Sequence, residues 1–210
     1  MKNQLLSLKE KTEAQPYAVV RQTRTKTFPI YHFNLQSEVD CPKIVRFIEE
    51  QKSSLDDNKK NPSENFWRLL EVIKAWHSDY MYNTYKNSEF NNLCDIVINK
   101  VQKIFPDYLY IIDHHWFVCY NNKDEATVHS HGNADVAIVF YPEVAPNSSP
   151  LSIINDDSYI DVPITTGSLL VFPGEVLHYV KPSLHEGKRI AISMNLHKSM
   201  KAHTKPFLKR

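Results

Sequence analysis

Apolar residues recur with two different periods along the chain, and the change falls near residue 106. In the first part, Phe66, Leu69, Leu70 and Ile73 stand at i, i+3, i+4 and i+7, with Trp76 one turn further on, which is the pattern of one buried helical face. Asn61-Pro62-Ser63-Glu64 ahead of them is a helix start: a capping asparagine, a proline in the first turn and a glutamate three residues after the cap. A second helix is expected from about Ser88, with Phe90, Leu93, Cys94, Val97, Val101 and Ile104 on one side and Pro106 ending it. Upstream, Ala18 to Asn34 is rich in Val, Thr, Tyr and Phe and reads as a strand broken by Pro29. The polar run from Gln51 to Asn65 reads as a surface loop.

From Tyr108 onward the period falls to two. YLYIIDHHWFVCY, VHSHGNADVAIVFYPEV, a segment from Pro150, YIDVPI, SLLVFPGEV, LHYVKP and KRIAISMNLH are successive short strands separated by Pro, Asn, Asp and Gly. Turn signals at roughly 8–12-residue spacing indicate a sandwich or barrel. The expected class is therefore α+β: N-terminal helices supporting a β-barrel of about eight strands.

Composition narrows the function classes. Lys plus Arg is 25 against 24 acids, a net charge of +1, which argues against a nucleic-acid binder. Apolar residues at 42% exclude wholesale disorder. No run approaches the roughly 18 apolar residues of a membrane span, and charges interrupt MKNQLLSLKEKTEAQ, so no signal peptide is expected. Three scattered cysteines, Cys41, Cys94 and Cys119, form no disulfide framework. A cytoplasmic protein is the expectation, with its basic tail from residue 199 solvated and its oligomeric state open.

Candidate chemistry lies in three segments of the second half. In a strand, His129 and His131 face the same side, with Asp135 nearby if the strand persists, and imidazole and carboxylate suit Fe(II), Zn(II) or Mn(II). Next, Gly167-Ser-Leu-Leu-Val-Phe-Pro-Gly-Glu-Val-Leu-His178 is an apolar strand that opens on a glycine turn and turns again at Pro173-Gly174, delivering a histidine at its far end. Finally, alternation in Arg189-Ile-Ala-Ile-Ser-Met-Asn195 puts Ile190, Ile192 and Met194 on one face and Arg189, Ala191, Ser193 and Asn195 on the other. An inward arginine needs an anion. That anion is either a ligand carboxylate or an internal partner such as Asp161 or Glu175. His32, His77, His114, His115, His185, His197 and His203 are read as structural or surface residues, and Trp116 as core. Tyr141 and Asn195 either contact the same ligand as Arg189 or serve packing and backbone.

This ordered set resembles the 2-oxoglutarate/Fe(II)-dependent oxygenases, and more narrowly a bacterial and phage branch related to prolyl hydroxylases. The shared features are Phe28-Pro29-Ile30, Trp76-His77-Ser78, Trp116, His129-x-His131, Phe140-Tyr141-Pro142, Gly167 through His178 and Arg189 through Asn195. They run from about residue 27 to 197, and the C-terminal ones are the more specific. The resemblance implies one domain over residues 1–210: helical support at about 40–106, a double-stranded β-helix (a cupin-like jelly roll) at about 108–198, and the tail at 199–210. It implies Fe(II) and 2-oxoglutarate as cofactors, with ascorbate as a candidate reductant. The reaction would be hydroxylation of a peptidyl or free amino acid, coupled to decarboxylation of 2-oxoglutarate to succinate. His129 and His178 match the two histidines of the family's metal triad, and Arg189 matches the arginine that binds the far carboxylate of 2-oxoglutarate, with Tyr141 and Asn195 as candidate helpers.

The chain departs from the family at the carboxylate, where His131 stands in place of Asp or Glu. Either His131 ligates, or Asp135 swings in. If all four bind, the site looks like that of a cupin metalloenzyme, with too few open positions for 2-oxoglutarate plus oxygen. A non-enzymatic jelly-roll binding protein is the third class. Loops at Asn121–Thr127, Glu143–Pro150 and Pro182–Lys188 would select the substrate.

Overall fold

Period-two alternation sorts the second half of the chain into layers. The structure, a computed structural model, describes residues 16–23, 26–58, 69–81, 87–182 and 186–201. Its strands are β1 (Ala18–Thr23), β2 (Lys26–Asn34), β3 (Ile73–Lys74), β4 (Trp76–His77), β5 (Tyr108–Tyr120), β6 (Glu125–His129), β7 (Val136–Val144), β8 (Leu151–Asn155), β9 (Ser158–Val162), β10 (Ser168–Pro173), β11 (His178–Val180) and β12 (Arg189–Lys201). Helices α1 (Cys41–Asn58) and α2 (Ser88–Ile104) lie among the described residues, which also include a short helical stretch at 69–72. The larger sheet runs β1-β2-β10-β7-β12-β5-β4 and the smaller β3-β6-β11-β8-β9, and every pairing is antiparallel. The eight strands β5–β12 form a double-stranded β-helix, the jelly roll expected from the sequence.

Each central strand of the larger sheet divides its side chains between two cores. Phe117 and Cys119 of β5, Ile138 and Phe140 of β7, Leu169 and Val171 of β10, and Ile190, Ile192 and Met194 of β12 pack with the helices. Their neighbours Trp116, Val118 and Tyr120, Val139 and Tyr141, Leu170 and Phe172, and Ala191 face the smaller sheet. On the helix side, Ile44, Phe47 and Ile48 of α1 meet Phe90, Leu93 and Val97 of α2. Each such side chain, fully buried, contributes about 1.5–3 kcal/mol. α2 begins where the sequence places it: the Asn87 side chain accepts the Phe90 N–H at 2.9 Å, the bond of an N-cap.

Several expectations change. Gln51–Asn58 is not loop but the last turns of α1. The helical face expected to run through Trp76 stops early. Residues 69–72 are helical, but Ile73 pairs with Ala126 of β6 and Trp76 with Cys119 of β5, because the ladders there satisfy the backbone and bury the same side chains. Pro29 does not break its strand: β10 pairs with β2 only over Tyr31–Asn34, so the missing N–H falls beyond that central ladder. The segment from Val128 to Val144 is two strands, with a turn between His129 and Val136. β12 continues to Lys201, into the expected tail. Asn61–Glu64, Phe66, His185, His203 and residues 202–210 lie outside the described residues. Cys41, Cys94 and Cys119 are buried free thiols. Among the described residues, no helix is long and apolar enough to cross a membrane.

His115 is buried on the helix side, its ring 4.9 Å from that of Phe90 and 5.7 Å from that of Phe117. Burial, and then the neighbouring His114, push its pKa down to about 4. The unfolded chain takes up this proton near pH 6.5, whereas the folded chain does so only near 4. Stability from this group is therefore intact above about pH 6.5 and falls below it, by up to ~1.4 kcal/mol per pH unit, until the folded pKa is reached. Denaturant unfolding of the metal-free protein between pH 7.5 and 5 is expected to show a smaller loss in His115→Leu than in the wild type. Parallel curves for the two proteins would contradict this.

Candidate active site

Strand register creates the site. β11 pairs with β6 so that His178 stands directly opposite His129, and their rings lie 4.3 Å apart. Cross-strand partners share a face, so both point between the sheets. His131 reaches the same place from outside the strand. Its backbone N–H donates to the Gly174 carbonyl at 2.8 Å, and Gly132 follows it with φ +58°, the left-handed region that favours glycine. Gly174 must be glycine because a Cβ there would run into the Ala134 backbone carbonyl. The Pro173-Gly174 turn and the histidine turn are thus pressed together, and one ring nitrogen able to ligate a metal from each of His129, His131 and His178 lies within 4.8 Å of the others.

All three rings are held in one tautomer. His129 Nδ1 lies 2.7 Å from the Thr127 carbonyl, His178 Nδ1 2.9 Å from the Val176 carbonyl, and His131 Nδ1 2.6 Å from Asn195 Oδ1. Those oxygens only accept, so each Nδ1 carries the proton and each Nε2 keeps a free lone pair. Burial lowers the pKa of each ring, to about 3 for His131 and well below the usual range for His178, where the other two histidines add to the effect. Three neutral imidazoles, each with its second nitrogen already bonded, suit a divalent ion such as Fe(II).

Arg189 occupies the same cleft. It opens β12 between Tyr120 of β5 and Val144 of β7 and is 1% exposed. Its guanidinium lies 4.4 Å from the Tyr120 ring centroid and 5.1 Å from that of Tyr141, and Nη2 is 3.5 Å from the Tyr141 hydroxyl. Nε and Nη1 are buried and have no hydrogen-bond partner among the described residues. The internal candidates are engaged elsewhere, Asp161 with Lys181 at 3.1 Å and Glu175 with Lys26 at 2.7 Å. Burial pushes the Tyr141 hydroxyl up to about 12 despite the pull of Arg189, so it stays protonated and can donate. His129, His131, His178, Tyr141 and Arg189 line one narrow cleft of about 20 Å³. A wider cavity of about 260 Å³ opens beside His129 and His131, walled by Leu69, Val72, Ile73, Tyr80 and Trp116.

Two sequence-predicted residues take other partners. Asp135 turns away from the histidines: its carboxylate bonds Lys198 Nζ and the Lys198 N–H, each at 2.9 Å, and lies 3.8 Å from His197. The break between β6 and β7 is what separates it, since the face-sharing rule ends with the strand. Asn195 lies six residues along β12 from Arg189 and bonds His131 and His114 instead of helping the arginine. Sequence reasoning missed Tyr120 and His114. Tyr120 was readable in principle, as it shares a face of β5 with Trp116 and Val118, whereas His114 finds its partner only across strands.

Asp135→Ala removes a partly exposed ion pair, which is worth at most about 1 kcal/mol. The variant is expected to bind Fe(II) within about threefold of the wild type, whereas loss of a true ligand or its support costs far more. A 100-fold loss on calorimetric titration would return Asp135 to the metal.

No protein-family model and no curated protein sequence matches the chain. Solved structures do. A Pseudomonas putida prolyl-4-hydroxylase is 16% identical, with a TM-score of 0.55 over 81% of this chain and 92% of that one. A Trichoplax adhaerens prolyl hydroxylase, solved with a peptide fragment of the hypoxia-inducible factor oxygen degradation domain, is 14% identical, with a TM-score of 0.58 over 80% and 83%. The viral collagen prolyl hydroxylase of Paramecium bursaria Chlorella virus-1, solved with 2-oxoglutarate, is 8% identical, with a TM-score of 0.56 over 81% and 96%. At these identities the likeness speaks for architecture: the chain is built on the double-stranded β-helix of the 2-oxoglutarate/Fe(II) oxygenases.

Proposed function

We propose that the protein is an Fe(II)- and 2-oxoglutarate-dependent dioxygenase that hydroxylates a peptidyl or free amino acid. The observation that carries this reading is Arg189, a buried cation whose Nε and Nη1 have no partner among the described residues, in the cleft that also holds three convergent histidines. A buried guanidinium without an anion is costly, and a ligand carboxylate would relieve that cost. His129, His131 and His178 would hold the metal. When bound, Fe(II) supplies the oxygen activation that couples decarboxylation of 2-oxoglutarate to attack on a substrate C–H bond.

The chain's own residues do the rest. Arg189 receives the far carboxylate and the Tyr141 hydroxyl donates to it, so the keto acid is oriented with its other end toward the histidines. The cleft has room for about one water, so a five-carbon diacid enters by moving the surrounding side chains apart. Histidines in place of a carboxylate leave the ligand set uncharged, which strengthens attraction for an anionic co-substrate. The 260 Å³ cavity beside His129 and His131 receives the substrate, and its Leu69, Val72, Ile73 and Trp116 walls exclude water from the reacting carbon. Prolyl hydroxylases among the structural neighbours, one of them solved with a peptide, support an amino-acid substrate.

Anaerobic titration tests the reading. Fe(II) and 2-oxoglutarate together are expected to produce a visible metal-to-ketoacid charge-transfer band that neither gives alone, and His178→Ala is expected to abolish it. Metal binding without a band would point to a cupin-type enzyme, and no metal binding to a jelly-roll binding protein.

Arg189→Met separates binding from stability. Without 2-oxoglutarate its unfolding free energy is expected to stay within about 1 kcal/mol of the wild type or to rise, because a buried cation is exchanged for an apolar side chain of similar length. The band should then require at least about tenfold more 2-oxoglutarate, the loss of one charge-assisted contact. A fall in stability of about 3 kcal/mol or more would instead mark a broken internal ion pair.

A further inference from the structure

The three histidines are held in their tautomer by different means. His129 and His178 donate to backbone carbonyls, which cannot turn, whereas His131 donates to a side-chain amide, which can. If the Asn195 amide flipped, its NH₂ would face His131 Nδ1 and force the ring proton onto Nε2, the nitrogen that has to be free. Something must therefore fix the amide, and the structure contains it. Asn195 Nδ2 lies 3.0 Å from His114 Nε2, and His114 Nδ1 lies 2.7 Å from Asp113 Oδ2. A carboxylate only accepts, so a neutral His114 carries its proton on Nδ1 and offers a lone pair at Nε2. Asn195 must then present NH₂ to His114 and oxygen to His131.

Strand register makes the chain of bonds possible. His114 is the partner of Asn195 across β5 and β12, and the register shifts between Asn195 and Leu196 so that Asp113 is the extra residue of a bulge. In a regular strand Asp113 and His114 would face opposite ways; a bulge re-aims a side chain. The His114 ring is further held by Tyr80, stacked on it at 4.4 Å, and by Trp116 at 5.9 Å. Asp113 also lies 3.8 Å from the His197 ring nitrogen Nε2.

We propose that Asn195 is a positioning residue that sets the tautomer of His131, and that His114 and Asp113 set the orientation of the Asn195 amide. The effect on metal affinity rests on His131 being a ligand; the effect on the tautomer does not. Long-range ¹H–¹⁵N NMR of the metal-free protein at neutral pH reads the tautomer directly, with His129 and His178 as internal references. Wild-type His131 is expected to be protonated on Nδ1, and finding the proton on Nε2 overturns the proposal without any variant. In Asn195→Leu the proton should move to Nε2. In Asn195→Asp, which keeps an acceptor, it should remain on Nδ1. His114→Phe keeps the stacking but frees the amide, so a mixture of tautomers is expected.

Co(II) affinity, followed by its visible absorption, should fall about 10–100-fold in Asn195→Leu and recover to within about threefold of the wild type in Asn195→Asp. An unchanged His131 tautomer in both Asn195→Leu and His114→Phe sinks the proposal. A wild type with His131 protonated on Nδ1, a tautomer that moves in these variants, and no Co(II) or Fe(II) binding would confirm the tautomer control and remove the metal-centre reading alone.

Discussion

A one-residue slip of β12 would turn Arg189, Ser193 and Asn195 toward the helices and drive Ile190, Ile192 and Met194 into the cleft. The structure prevents this by pairing β12 along both edges, with β5 on one side and β7 on the other, and by burying its apolar face against α1 and α2. The same strand therefore anchors the core through its even-numbered residues and furnishes the site through its odd-numbered ones. Arg189 at one end meets the tyrosines, and Asn195 six residues along meets His131. Hydrophobic burial on one face holds the polar groups of the other in place, and no loop is asked to do so.

The electrostatics of the cleft follow from that placement. Burial favours the neutral form of three imidazoles, and two donors of the buried Arg189 guanidinium have no partner among the described residues. An interior arranged for stability alone would supply Arg189 with a carboxylate, yet Asp161 and Glu175, the candidates offered by the sequence, both pair with surface lysines. Local cost of this kind tends to collect at functional sites. Here it consists of a cation that a carboxylate would satisfy beside nitrogens that a divalent ion would satisfy, which is why one ligand chemistry accounts for both.

Close backbone packing supplies the third histidine. His131 belongs to no strand, and its position depends on the contact between its own turn and the Pro173-Gly174 turn, where Gly174 has no room for a side chain. Ring nitrogens able to ligate a metal, from a β6 end, a turn and a β11 start, thus converge although 49 positions separate His129 from His178 (178 − 129).

Much of this was legible in the residues alone. Period-two alternation assigned β5 and β7–β12, and it separated Arg189 and Asn195 from Ile190 and Met194, because one face of each strand is buried in a different core. The histidines and Arg189 stood out because glycine turns and apolar strands flank them. Pattern failed where elements ended: alternation carried Asp135 inward with His131, and the helical period extended a buried face into β3 and β4. Local pattern cannot see which ladder will satisfy a backbone. Tertiary structure alone decided that Asp135 goes to Lys198, that Asp161 and Glu175 pair with lysines rather than with Arg189, and that Asn195 turns to His131 and His114. Each of those outcomes depends on which side chains face one another across strands, and that is set by register and bulges between segments distant in sequence.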